Sequence, residues 1–492
     1  MLRALGVGAA GVGLGGSGLL AACASSDEGA GSGGGGVSGS TTSTVPPSFD
    51  PSKPYWVQGN FRAVTTEETV TDLEVTGALP PELSGLFVRN GSNPPAGEAD
   101  HWFLGDGMIH GVRLADGKAS WYRNRYVATT VHDGGGEYAG APQGADNQAN
   151  VALVHHGGKL LALGEVGWPY ELDPAELATV GPWDFDGRLG ATMTAHPKID
   201  PATGRMHFFG YEFLRPALTY YSAAPDGTLD VVSPIAVDAA TMVHDFAITD
   251  RHAVFWIGPV VFGVDERNPY PQVPFHWDAE GPSKVGVMPL DGSGDDIRWV
   301  DIDPCFVFHG LNAHTDGDDV VLRVNRLDEA FGPRGDLIES ILTEWRIGTG
   351  GDQLTFASEP LTDRGMDLPT HDRRHTGRPT RHGWWATTTP PDDPHGFELA
   401  GICHLDLEAG TEDLWDPGPD LRAGEGFFVP GGDGEGEGWV LSFAWDRATD
   451  RSSLVVLDAQ DVAAGPVAEV ALPVRVPFGF HGLWLGEDDL SA

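Results

Sequence analysis

Short apolar runs rich in branched and aromatic side chains recur from residue 50 to the C-terminus, each closed by a cluster of turn residues. Gly85-Leu86-Phe87-Val88-Arg89, Leu160-Leu161-Ala162-Leu163, Ala253-Val254-Phe255-Trp256-Ile257, Val320-Val321-Leu322-Arg323-Val324, Trp439-Val440-Leu441-Ser442-Phe443 and Ser453-Leu454-Val455-Val456-Leu457 are examples. Between such runs lie Asp-Gly, Gly-Gly, Pro-Asp and Asp-Pro-Ala-Thr-Gly segments, which are hairpin chemistry. Long amphipathic helical stretches are scarce and no alternation of strand and helix appears, so a parallel α/β sheet is not expected. Many short strands in one long body predict an all-β, seven-bladed β-propeller, with loops and short helices capping the active-site face; radial closure protects the strand edges. Seven four-stranded blades of about 60 residues each, with an insertion or two, would use up the chain. Strict repeats are absent, but Phe308-His309-Gly310-Leu311 recurs as Phe480-His481-Gly482-Leu483.

The N-terminus follows other rules. A lone Arg3, a Gly- and Ala-rich apolar stretch and Leu20-Ala21-Ala22-Cys23 resemble a prokaryotic lipoprotein export signal covering residues 1–23, in which Cys23 is lipidated. Residues 24–48 are dominated by Gly, Ser and Thr, too polar to bury a core, and read as a flexible tether. The catalytic body is therefore expected at residues 49–492. Its expected location is the outer face of the cytoplasmic membrane, held by lipid, or the cytoplasm if the signal is not used.

Composition narrows the partners. The 71 acidic side chains against 30 basic ones give a formal charge of -41, which repels nucleic acid and anionic lipid surfaces. Nucleic acid is excluded as a partner on this ground, and membrane proximity is left to the lipid. Three cysteines, Cys23, Cys305 and Cys403, are too few for a disulfide framework and wrongly spaced for a zinc knuckle.

Of the 18 histidines, four share a context, lying in or just after an apolar run and before a residue suited to a turn or strand end. They are His196, His244, His309 and His481, too far apart for a local motif, so only the fold can bring them together, as innermost strands would at a propeller axis. Neutral imidazole suits iron, copper, nickel or zinc. Four nitrogens would leave positions open on an octahedral Fe(II), whereas zinc tends toward a closed tetrahedral site. His314, five residues beyond His309, is a rival ligand. His371, His375 and His382 sit in an Arg-rich polar stretch and read as loop residues, and His101 and His110 read as packing and turn residues.

Longer motifs carry a resemblance. Phe87-Val88-Arg89-Asn90-Gly91-Ser92-Asn93-Pro94 precedes His101-Trp102-Phe103-Leu104-Gly105-Asp106-Gly107-Met108-Ile109-His110-Gly111-Val112. Glu165, Ala195-His196-Pro197, His244-Asp245-Phe246, Phe308-His309-Gly310-Leu311-Asn312-Ala313, Gly424-Glu425-Gly426-Phe427 and Gly479-Phe480-His481-Gly482 follow in order. From about residue 55 on, the chain resembles the carotenoid cleavage oxygenases. The resemblance implies one Fe(II) per chain on His196, His244, His309 and His481, with Glu165, Asp367 and Glu425 behind three of them. Asp367 replaces the family's usual glutamate and is one methylene shorter, so its contact is expected to be lengthened, bridged by water or lost. The implied reaction splits a C=C bond of a hydrophobic polyene, a carotenoid or apocarotenoid, with O2 into two carbonyl products. Stilbene cleavage, retinyl ester isomerisation, and a lactonase-like or merely binding propeller are the alternatives. No lysine lies between Lys118 and Lys159, where stilbene-cleaving relatives resemble one another in using a lysine for the phenol. If Cys23 carries the anchor, Cys23→Ser releases the protein in soluble form; fractionation that finds the unaltered protein wholly cytosolic and unprocessed overturns this.

Overall fold

The computed structural model describes residues 49–491 except 135–143, 191, 214, 264–272, 274 and 333–338, so the export signal ending at Cys23 and the tether lie outside the described residues. All six apolar runs named above are strands, and their turns have the chemistry that the sequence announced. Asp116-Gly117 and Gly157-Gly158 both hold positive φ at each residue, the backbone of a two-residue hairpin turn.

The strands form seven antiparallel blades in chain order. In the first, Gly85–Ser92, Gly107–Ala115 and Lys118–Tyr126 run outward to Thr69–Thr71. The second to fourth occupy residues 152–182, 198–235 and 246–301, and the fourth also carries a side hairpin of Val260–Phe262 and Phe275–Trp277. The long strand Thr355–His371 serves two blades: residues 355–365 pair with Ile341–Gly348 at the outer edge of the fifth, and residues 366–371 pair with His382–Thr388 as the inner strand of the sixth. The seventh is built on Gly438–Asp446, Arg451–Asp458 and Pro466–Ala471.

The ends of the chain close the ring by exchange. Val75–Gly77 adds the outer strand of the seventh blade, against Pro466–Ala471, and Gly482–Gly486 supplies the inner strand of the first, against Gly85–Ser92.

Each blade presents two apolar faces, and a separate buried cluster fills every gap between neighbours. Val254, Trp256, Leu322 and Trp345 pack the fourth blade on the fifth. Phe87, Val112, Phe427 and Leu441 pack the first on the seventh, across the closure. This double burial is why many strands read as continuous apolar runs rather than alternating ones; every residue of Gly85–Ser92 is buried. An eighth cluster joins Phe61, Trp102, Leu368, Phe478 and Phe480 to the partly buried Tyr55 and Trp56. The 3-10 turns Tyr55–Val57, Gly59–Phe61 and Trp102–Leu104 thus form the expected short helical cap. Cys305 and Cys403 are free and buried, and no described helix is long and apolar enough to cross a membrane.

Closure leaves no room at Gly85, where a Cβ would lie 2.3 Å from the Leu485 carbonyl oxygen and 2.5 Å from the Trp484 ring. Gly85→Ala is expected to cost about 1–3 kcal/mol by overpacking and to lower the urea midpoint. Gly351→Ala, where the nearest atom is 3.5 Å away, serves as the near-neutral control. Equal midpoints for the two variants contradict the tight closure.

Candidate metal centre

All seven residues singled out by the resemblance sit at the ends or breaks of strands, one from each blade. His196 and His244 each stand two residues before an inner strand, Lys198–Ile199 and Phe246–Ile248, and His481 directly precedes Gly482–Gly486. His309 lies within Phe306–Asp316 where the register shifts between Val307 and Gly310. Asp367 lies at a similar shift in its strand, Glu425 in the gap between Leu421–Ala423 and Phe427–Pro430, and Glu165 two residues past Lys159–Leu163. Such irregularities free a side chain from the strict in-and-out alternation and aim it along the axis.

The structure brings the four histidines together. His196 Nε2 is 2.9 Å from His244 Nε2, His244 Nε2 is 3.4 Å from His309 Nε2, and His309 Nε2 is 3.2 Å from His481 Nε2. The His196 and His481 rings close the set at 4.8 Å between centroids. Three of the outer nitrogens face acids. His309 Nδ1 lies 2.7 Å from Asp367 Oδ1 and His481 Nδ1 lies 2.8 Å from Glu425 Oε1, both in hydrogen-bonding alignment. Glu165 Oε2 is equally close to His244 Nδ1, at 2.7 Å, but off the line of the ring N–H, so the contact is a close polar one rather than an aligned hydrogen bond.

Those contacts fix the tautomers. A carboxylate beside Nδ1 keeps the proton there, so His244, His309 and His481 turn bare Nε2 lone pairs toward one another. Three lone pairs at such spacing repel unless a cation sits among them. Metal–nitrogen bonds of about 2.1 Å at tetrahedral or right angles separate two ligands by roughly 3.0–3.4 Å, close to the spacing found. His196 has no carboxylate partner among these three acids; burial, then the other three imidazoles and Lys198, hold it well below the usual histidine range, so it too is neutral. Burial lowers His309 despite Asp367. Burial is also the largest influence on His244, but there Glu165, Asp245 and Asp367 together outweigh it and the net shift is upward.

Asp367 corrects the sequence expectation, since its contact is direct. The strand shifts register after Asp367 and Leu368 takes a left-handed backbone, φ 54°, and with this local geometry the short side chain reaches its ring. The Leu368 N–H donates to Oδ1, and Oδ2 lies 3.1 Å from the Ser340 hydroxyl.

Other histidines fall away from the centre. His314 lies farther along the His309 strand, paired with Val321, and does not join the cluster. His371 and His382 are not loop residues as expected: they end and begin strands, and His382 is buried with its Nδ1 3.0 Å from His404 Nε2. His375 lies in a 3-10 turn. His101 accepts from the Phe103 N–H, and His110 pairs with the Tyr122 hydroxyl at 2.9 Å, the packing and turn roles expected.

Sequence reasoning missed three supports. Asp245 is almost wholly buried; it pairs with Lys198 Nζ at 2.7 Å and accepts from the Phe246 and Gly310 amides at 2.7 and 2.9 Å, which ties the residues beside His196, His244 and His309 together. Tyr211 donates to Glu165 Oε1 at 2.7 Å, and Ser340 stands behind Asp367. Only Asp245 had a signal, its place beside His244. An aromatic chain starts at the centre: Phe308 lies 5.2 Å from the His244 ring and leads through Phe103 to Phe331 and Phe480.

Known proteins share this plan. The family model described as Retinal pigment epithelial membrane protein matches residues 61–486. The carotenoid cleavage oxygenase of Mycobacterium tuberculosis is 35% identical, over 87% of this chain and 97% of that one. Among solved structures, the lignostilbene dioxygenase of Pseudomonas brassicacearum superposes with a TM-score of 0.80 at 31% identity, covering 88% of this chain and 99% of that chain. Cobalt-substituted apocarotenoid oxygenase of Synechocystis gives 0.78 at 27%, covering 89% and 99%. The match to the family model encloses every strand that delivers the four histidines and three acids, and the chain belongs to the retinal pigment epithelial membrane protein family, the carotenoid cleavage oxygenases.

Proposed function

We propose that the chain is an Fe(II)-dependent dioxygenase that cleaves a C=C bond of a carotenoid or apocarotenoid. The observation that carries the metal is the set of bare Nε2 atoms on His244, His309 and His481, joined by neutral His196. Fe(II) bound there supplies the redox chemistry by which both atoms of O2 enter the two carbons of one double bond, giving two carbonyl products without net proton transfer. No acid or base is needed, which suits a centre with no carboxylate among its innermost groups.

The protein's share is binding and orientation. Glu165, Asp367 and Glu425 hold three imidazole rings in direction and make them better donors. Phe308 beside the His244 ring, with Phe103, Phe331 and Phe480 behind it, gives the centre apolar neighbours that suit a polyene better than a polar substrate. The absence of a lysine between Lys118 and Lys159 and the likeness to the mycobacterial carotenoid enzyme support a polyene over a hydroxystilbene. A lipid on Cys23 would hold the enzyme beside the membrane in which such substrates dissolve.

Iron-loaded protein given an apocarotenoid under 18O2 is expected to yield two labelled carbonyl fragments, and none under argon. Turnover of a hydroxystilbene alone moves the substrate to the stilbene class, and turnover without O2 sinks the dioxygenase reading. His196→Ala, His244→Ala, His309→Ala and His481→Ala are each expected to abolish iron retention, measured by metal analysis after gel filtration, while His314→Ala keeps it. Asp367→Asn should weaken iron affinity about 10–100-fold, because the carboxylate does reach its ring. Wild-type affinity in that variant would refute the direct contact.

A further inference from the structure

The three acids reach their histidines over unequal spans of the ring. Asp367 and His309 come from the sixth and fifth blades, and Glu425 and His481 from the seventh and first, which are neighbours in both cases. Glu165 comes from the second blade and His244 from the fourth, so this carboxylate has to pass the whole of the third. It is also the one acid whose contact is off-line, so the imidazole does not by itself fix where the carboxylate points.

The third blade fills the gap with Tyr211, the last residue of Met206–Tyr211. Its hydroxyl donates to Glu165 Oε1 at 2.7 Å. A relay results: Tyr211 to Glu165, and Glu165 to the His244 ring. The direction of the His244 imidazole is thus tied, through one carboxylate, to a phenol of the blade between. The phenol is itself immobile, with 2% of its surface exposed and its ring wedged against Phe213 at 5.3 Å.

We propose that Tyr211 is a positioning residue for the metal centre, bracing Glu165 and through it the His244 ring across the one span that an acid must bridge over an intervening blade. The inference rests on the four histidines holding a metal ion. Without the hydroxyl, Glu165 Oε1 loses a partner inside the protein, and the carboxylate is free to turn away from Nδ1. Phenylalanine keeps the ring and its packing, so Tyr211→Phe removes the brace alone.

The test uses the full chain loaded with Co(II), whose visible bands report ligand geometry, and with Fe(II) for affinity by chelator competition. Tyr211→Phe is expected to shift the Co(II) bands and weaken Fe(II) binding by up to about 10-fold, the lower end of the range for an outer partner. Glu165→Gln is expected to do the same, and the double variant no more than Glu165→Gln alone, because both act through one carboxylate. Tyr122→Phe, which strips a buried hydroxyl from His110 in the first blade, lowers thermal stability without moving either metal readout. Wild-type bands and affinity in Tyr211→Phe, or losses that add fully in the double variant, overturn the role of Tyr211. Failure of the unaltered protein to hold either ion overturns the metal centre itself.

Discussion

Imidazole nitrogens that have given up their protons and still face one another at close to 3 Å are electrostatically intolerable on their own. The spacing of His196, His244, His309 and His481 is held by seven strand systems at once, so no single blade can relax it. Carboxylates behind three rings keep the protons on the far nitrogens and sharpen the demand for a cation. The buried Asp245, through Lys198 and the Gly310 amide, links the strand entries so that the rings cannot drift apart separately. Much of the propeller can be understood as the frame that keeps this unfavourable arrangement in place.

The frame was readable because its signals are local. A two-residue turn such as Gly157-Gly158 declares itself by residue type, and a blade packed on both faces writes its strands as unbroken apolar runs. The histidines were legible through short motifs around them, though only the family resemblance made them a set. Asp367 was misjudged because side-chain length is visible in a sequence and a register shift is not; the strand breaks there with Leu368 in a left-handed backbone, which nothing about a leucine announces. His371 and His382 were misjudged because arginines and polar residues around them hid two strand ends. Tyr211 had no signal at all, since its meaning lies in which blade it stands on.

That position shows how a ring of blades distributes work. Where an acid and its histidine come from adjacent blades, the contact is direct and aligned; where they do not, the blade between supplies a third group. The centre is therefore specified by adjacency around the axis as much as by the identity of its ligands, and an aspartate serves at 367 because the local backbone lets it reach.

The exchange of strands at the ring's closure sets an order in time. Chains are synthesised from the N-terminus, and His481 and the strand Gly482–Gly486 are made after every other strand of the ring. Until they emerge, six blades can be complete but the first lacks its inner strand and the centre lacks one of its four imidazoles. The four nitrogens can therefore be assembled only as the ring itself closes, so synthesis interrupted before His481 leaves both unfinished.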